Sequence, residues 1–125
     1  MVETAENTKL WRPVNVGTLN VQTLRTLGKM ELLEYEAERY GLSCLGISET
    51  RWTGSGHFKT DKGATVLFAG NEPDLVKQAK HGSIHESGVA IWINAQMSKS
   101  LLGYNPVNKR IITARFQCKP VNLTM

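Results

Sequence analysis

The stretch Leu42-Ser43-Cys44-Leu45-Gly46-Ile47-Ser48, bounded by Gly41 and by the acid Glu49, does most to limit what this chain can fold into. It is a short apolar run of strand length, the pattern of an interior strand covered on both faces. Ahead of it, Val14 to Val21 alternates small apolar and polar residues with β-branched enrichment, which predicts a strand ending near Asn20. Between the two, Gly28 to Tyr40 sets Met30, Leu33, Ala37 and Tyr40 at i, i+3, i+7 and i+10, with the glutamates elsewhere. That spacing predicts an amphipathic helix closed by Gly41. The opening is therefore strand, helix, strand, a βαβ-like unit that brings the strand ends Asn20 and Glu49 side by side.

Further along, Thr65 to Ala69 and Gly88 to Asn94 read as strands, and Ala95 to Leu102 as a short turn of helix. Gly70 to Ser87 holds no regular pattern and reads as an exposed insertion, Gly54-Ser55-Gly56 as a turn, and Asn105-Pro106-Val107-Asn108 as another turn. Arg110 to Phe116 and Val121 to Met125 read as two strands joined in hairpin fashion through Gln117-Cys118-Lys119-Pro120. Residues 1–13 form a loose lead-in punctuated by Pro13, and 14–125 form the ordered part. The last strand stops with its alternation still running, which suggests a domain that continues beyond it.

Composition narrows the class. At 125 residues and 41% hydrophobic, the chain is one globular domain rather than a disordered tail or a fibre. Its 15 Lys+Arg against 11 Asp+Glu give a formal charge of +4, which favours an anionic partner without naming one. Cys44 and Cys118 make no metal-type spacing and read as reduced thiols. With no signal-peptide h-region and no apolar run long enough to span a membrane, the expected setting is intracellular, cytoplasmic or nuclear, with no membrane partner and no specific oligomer indicated.

A carboxylate at the end of an interior strand suits a divalent cation at a sheet rim. Glu49 and Asn20 together offer hard oxygen donors of the kind Mg²⁺ accepts alongside several waters; both residue types also cap strand ends for structural reasons alone. Arg51 and Trp52 admit two readings: a phosphate contact with base stacking, or a tryptophan cover over the rim beside a solvated arginine. His57, His81 and His85 read as solvated surface or loop residues, the last two because small residues surround them and no third ligand is near. Lys99, Lys109, Arg110 and Arg115 are scattered, and Arg110 is open to a structural ion pair near the rim.

Leu19-Asn20-Val21, Leu24-Arg25, Gly46-Ile47-Ser48-Glu49-Thr50-Arg51-Trp52, Gly88-Val89-Ala90-Ile91 and Arg110-Ile111-Ile112-Thr113-Ala114-Arg115-Phe116 together resemble the endonuclease/exonuclease/phosphatase superfamily. The wording is most similar to the endonuclease domains of non-LTR retrotransposons and to craniofacial development protein 2-like proteins. The resemblance implies an α/β (α+β) fold, the N-terminal half of a four-layer α/β/β/α sandwich. It also implies Mg²⁺, with Mn²⁺ as a substitute, held by Glu49 and Asn20 as metal-binding and catalytic residues, and DNA contacted through Arg25, with Arg51 and Trp52 as the further nucleic-acid candidates already read from the residues themselves. Gln22 stands where abasic-site repair nucleases of the superfamily carry an aspartate, which argues against repair more than against nicking.

The family's domain is about twice as long, within the roughly 200 to 250 residues such single domains reach. Its Tyr-Ala-Pro, Asp-x-Asn and Ser-Asp-His motifs have no counterpart here, so the acid and base of hydrolysis are missing. The expectation is a fragment of a Mg²⁺-dependent DNA endonuclease, inactive as it stands, with apolar surface left uncovered and a sticky or partly molten character. The alternatives are a non-catalytic remnant that binds nucleic acid or protein and, less favoured by the Ser-Glu-Thr-Arg-Trp wording, a phosphoesterase acting on small substrates.

Overall fold

The computed structural model describes residues 14–25, 28–71, 87–117 and 123–125. The lead-in 1–13, most of the expected insertion with His81 and His85, and the link through Cys118 lie outside them. The elements run β1 (Val16–Asn20), α1 (Lys29–Arg39), β2 (Cys44–Ser48), β3 (Ser55–Lys59), β4 (Thr65–Ala69), β5 (Val89–Ile93), α2 (Ala95–Ser98), β6 (Leu101–Asn108), β7 (Ile111–Phe116) and β8 (Leu123–Thr124). The chain is mixed α+β, with five strands in the order β1-β2-β5-β4-β3 and a second sheet in the order β6-β7-β8.

The opening unit forms as its periodicity dictates. β1 and β2 pair in parallel, with Asn20 opposite Ser48, and α1 makes the crossover. Every other strand pair is antiparallel. The C-terminus of α1 is a Schellman turn: Gly41 at φ 68° donates to Glu38 O and Leu42 N to Ala37 O, each at 3.0 Å. A left-handed residue is needed there, and glycine adopts it without a Cβ penalty.

β2, β4 and β5 are buried on both faces, so alternate residues feed two cores. Leu45, Ile47, Val66, Ala90 and Trp92 meet Leu33 and Ala37 of α1 on one face. Cys44, Leu67, Ile91 and Ile93 meet Ala114 and Phe116 of the second sheet, with Met97 of α2, on the other. The layering is helix, sheet, sheet, consistent with a fragment of an α/β sandwich. α2 starts from a true cap, Asn94 Oδ1 accepting from Met97 N at 2.7 Å.

Four sequence expectations need correction. On α1, Tyr40 stands 69% exposed, while Glu34, expected on the solvated face, is 6% exposed and accepts from Trp92 Nε1 at 3.0 Å and Thr60 Oγ1 at 2.6 Å. A glutamate satisfied by two donors fits a core that an unpartnered one would not. Ser55 and Gly56, read as part of a turn, open the edge strand β3, paired with β4 from Ser55↔Ala69 to Lys59↔Thr65.

Asn105 to Asn108 lies within β6 rather than in a turn; Pro106 is tolerated because β6 is the edge of its sheet, and the ladder slips beside it. The turn sits one step later, where Asn108 Oδ1 accepts from Arg110 N and Ile111 N. Finally, Gly70 and Asn71 do not open an exposed insertion: Asn71 is fully buried and bridges to Thr53.

Candidate functional site

The parallel register sets the site. Because Asn20 lies opposite Ser48, the next backbone steps leave the sheet together, with Val21 N donating to Ser48 O at 3.1 Å and Leu24 N to Thr50 O at 2.8 Å. Asn20 then folds over its own backbone. Its Oδ1 accepts from Gln22 N at 3.1 Å, which turns the amide nitrogen toward Glu49, and Nδ2 donates to Glu49 Oε2 at 2.5 Å. The Asx turn thus fixes which end of the amide faces the carboxylate.

Three non-glycine residues at this rim occupy the left-handed region, Gln22 at φ 61°, Glu49 at φ 59° and Arg51 at φ 62°. Each such residue costs about 1–2 kcal/mol and persists only where its surroundings hold it. Backbone bonds to the start of β5 hold two of them. Thr50, fully buried between the two strained residues, donates from N to Gly88 O at 3.2 Å, and Arg51 N donates to Ser87 O at 2.9 Å. Gly88 itself sits at φ 126°, and a Cβ there would overlap Thr50 Oγ1 and come to 3.0 Å from Arg51 N. The start of β5 therefore holds the segment after Glu49 in a geometry that only glycine permits.

Gly88 N also donates to Lys109 O at 3.0 Å, which ties the β6–β7 turn to the same rim. As a result Arg110, from the second sheet, and Asn20, from the first, both line a cleft of about 520 Å³ between the sheets. Among the described residues neither ion pair involves the rim: Arg39 pairs with Glu36 and Lys62 with Glu38. Arg51 is half-buried and its Nε is enclosed with no hydrogen-bond partner.

The expected site residues divide cleanly. Asn20 and Glu49 are bonded to each other at the rim, and Arg51 follows two residues on, held there by its backbone bond to Ser87 O. Trp52 follows them in sequence, but its ring packs edge-on to the partly buried Phe68 at 5.4 Å and near the exposed Phe58 at 5.9 Å. Arg25 is exposed beyond the Thr23 turn, where Arg25 N donates to Thr23 Oγ1 at 3.1 Å, and no hydrogen bond joins it to the rim. His57 pairs through Nδ1 with Tyr104 Oη at 2.8 Å across the two sheets. Sequence reasoning missed Thr50, Gly88 and Asn71, whose partners lie far along the chain; only the glycine could have hinted at a backbone requirement.

The donor set at the rim is one carboxylate and one amide. No cluster of three or more His, Cys, Asp or Glu side chains able to hold a metal stands among the described residues. A single carboxylate still fits Mg²⁺, which keeps most of its waters and is often completed by substrate phosphate. In the arrangement seen, Asn20 orients Glu49 through its Nδ2, while its own oxygen is engaged by Gln22 N. No helix among the described residues is long and apolar enough to cross a membrane.

No protein-family model matches the chain. It is 34% identical over 110 residues to craniofacial development protein 2 from Bos taurus, and 34% identical over 110 residues to craniofacial development protein 2 from Tragulus javanicus. Each alignment takes in 88% of this chain and spans 17% of the relative's length.

Proposed function

We propose that the chain carries the metal-holding portion of a Mg²⁺-dependent DNA-nicking site, in the manner of the endonuclease/exonuclease/phosphatase domains of non-LTR retrotransposons, and that it does not hydrolyse DNA on its own. The observation that supports this reading is the bond from Asn20 Nδ2 to Glu49 Oε2 at the ends of two parallel strands. It fixes a lone carboxylate, with one oxygen left over, two residues before Arg51, which neither ion pair among the described residues engages. The similarity to craniofacial development protein 2 supports a nuclease-like or nucleic-acid-binding assignment.

Glu49 would hold the ion, Mg²⁺ or Mn²⁺, and the ion when bound would stabilise negative charge developing on a phosphodiester. Asn20 keeps the carboxylate aimed by restricting it to one orientation, and the Gln22 N–H in turn locks the Asn20 amide. Arg51 supplies donors to a phosphate oxygen, since a guanidinium only donates and stays charged. A positioned acid or base to move the proton of the attacking water is lacking at the rim among the described residues. Hydrolysis in the superfamily assigns that task to motifs with no counterpart in this sequence.

Two assays test the reading. Purified protein incubated with supercoiled plasmid and Mg²⁺ is expected to leave the plasmid intact; nicking that disappears in Glu49→Ala would overturn the claim of inactivity. Mn²⁺ binding followed by water-proton relaxation is expected in the wild type and lost in Glu49→Ala, and equal binding by both would remove Glu49 from the metal site.

A second reading, a non-catalytic nucleic-acid-binding remnant, is favoured by the +4 charge and by Arg51, which neither ion pair among the described residues engages. It differs in one respect: binding to DNA would be the same with and without Mg²⁺ and would persist in Glu49→Ala.

A further inference from the structure

Asn71 is fully buried, yet nothing in its local sequence marks it out. It grips the segment after Glu49 at two levels. Its backbone N–H donates to Trp52 O at 3.0 Å, and its side-chain Nδ2 donates to the same carbonyl at 3.2 Å and to Ser87 O at 3.3 Å. Ser87 O is also the acceptor for Arg51 N, at 2.9 Å. Asn71 and Arg51 are thus held to a single carbonyl, one by its amide side chain and the other by its strained backbone.

Two side-chain atoms among the described residues are enclosed without a hydrogen-bond partner, and they are Asn71 Oδ1 and Arg51 Nε. Unpaired buried polar atoms are rare in folded proteins and call for a reason. For Asn71, the two Nδ2 bonds to the carbonyls of Trp52 and Ser87 set the amide's orientation, and in that orientation Oδ1 meets no donor. For Arg51 no described group takes up the enclosed Nε–H, and neither ion pair among the described residues engages its guanidinium, whose terminal nitrogens are the atoms able to reach a ligand.

We propose that Asn71 is a positioning residue, which holds Arg51 in its left-handed conformation and thereby keeps the guanidinium free for a phosphate oxygen of a nucleic-acid strand. The inference rests on the phosphodiester reading for its ligand, though not for the brace itself. Asn71 touches no substrate; it acts through the carbonyls of Trp52 and Ser87. The opposing reading is that Asn71 merely fills the junction between the strands.

The test uses the full chain, a 20-base-pair DNA duplex as probe, and a series of salt concentrations, with Asn71→Ser, Asn71→Asp, Arg51→Gln and the double variant Asn71→Ser/Arg51→Gln. Loss of one phosphate contact lowers the slope of log K against log[salt] by about 0.9. That drop is expected in Arg51→Gln and again in Asn71→Ser, with no further drop in the double variant and with thermal unfolding still cooperative. A slope that falls in Arg51→Gln and stays at the wild-type value in folded Asn71 variants would overturn the positioning role while leaving the phosphate reading intact.

A readout independent of DNA separates the two claims. In Asn71→Asp the donors to Trp52 and Ser87 are lost and a carboxylate faces the junction, so the Arg51 Nε–H resonance, enclosed in the wild type, should shift. If the wild type fails to bind DNA, the phosphodiester reading falls, and this resonance alone decides: movement upholds the brace between Asn71 and Arg51, and an unchanged signal overturns it.

Discussion

Trp92 Nε1 donates to Glu34 Oε2 at 3.0 Å, so the helix and the centre of the five-stranded sheet are joined by a hydrogen bond inside the core rather than by apolar contact alone. The same oxygen takes Thr60 Oγ1 at 2.6 Å, and Thr60 Oγ1 accepts Ala64 N at 3.2 Å, which extends the link into the β3–β4 turn. Glu34→Ala strips the acceptor from the enclosed Trp92 Nε1 and from the partly buried Thr60 Oγ1. The expected loss is about 2 kcal/mol, because two hydrogen bonds are removed and the Trp92 donor is left unpartnered in the core. Urea unfolding should show a lower midpoint at unchanged m; a loss below about 0.5 kcal/mol would mean that the network contributes little.

How much of this was legible beforehand follows from what each residue answers to. β2, β4, β5 and α1 could be read because burial on one or two faces writes itself as a local period, and Asn20 and Glu49 because they end adjacent strands. β3 and β6 are edges of their sheets, and edge strands tolerate the Gly56 and Pro106 that read as turn signals. Glu34 looked solvated because its type suggests solvent, and only Trp92, far along the chain, makes burial acceptable. The rim's strain was invisible for a similar reason: Gln22, Glu49 and Arg51 carry no glycine signature, and the bonds that hold them come from Leu24, Ser87, Gly88 and Asn71.

Strain at the rim makes a prediction with an unusual sign. Gln22 sits at φ 61° and contributes only its backbone N–H to the site, through Asn20 Oδ1. Gln22→Gly retains that donor and relieves the left-handed penalty, so stability should rise by about 1 kcal/mol after the extra chain entropy of glycine is offset. Gln22→Val, whose branched Cβ fits the left-handed region poorly, should lose at least as much. Calorimetry on the three proteins checks the order Gly above Gln above Val; a reversed order would mean that the side chain of Gln22 makes a contact worth more than the strain.

Gly88 supports a steric prediction. A methyl group there would meet Thr50 Oγ1 and stand 3.0 Å from Arg51 N, and φ 126° is itself closed to alanine. Gly88→Ala should cost about 2–3 kcal/mol through overpacking and backbone strain. Because Thr50 N and Arg51 N bond to the carbonyls of Gly88 and Ser87, the damage should also displace Glu49. The check is Mn²⁺ affinity measured on folded protein at low temperature. Affinity equal to wild type would show that the start of β5 supports stability without shaping the rim.

The buried thiol supplies the pH dependence. Cys44 is fully enclosed between the two sheets, and burial pushes its pKa from an ordinary 9.0 up to about 11. The folded state therefore favours the neutral thiol, and its contribution is complete below pH 9, where both folded and unfolded chains keep the proton. As pH rises the unfolded chain ionises first and gains a proton-release advantage, so stability is lost between about pH 9 and 11. A shift of this size corresponds to about 2–3 kcal/mol. Lysines and tyrosines also titrate in that window, so the measurement is the difference in unfolding free energy between wild type and Cys44→Ala at pH 8 and at pH 11. The wild-type advantage should shrink by that amount, and native Cys44 should resist thiol reagents at pH 8. A pH-independent difference would show that the thiolate is accommodated in the core, which a site closed by Leu67, Ile93 and Phe116 gives no means to do.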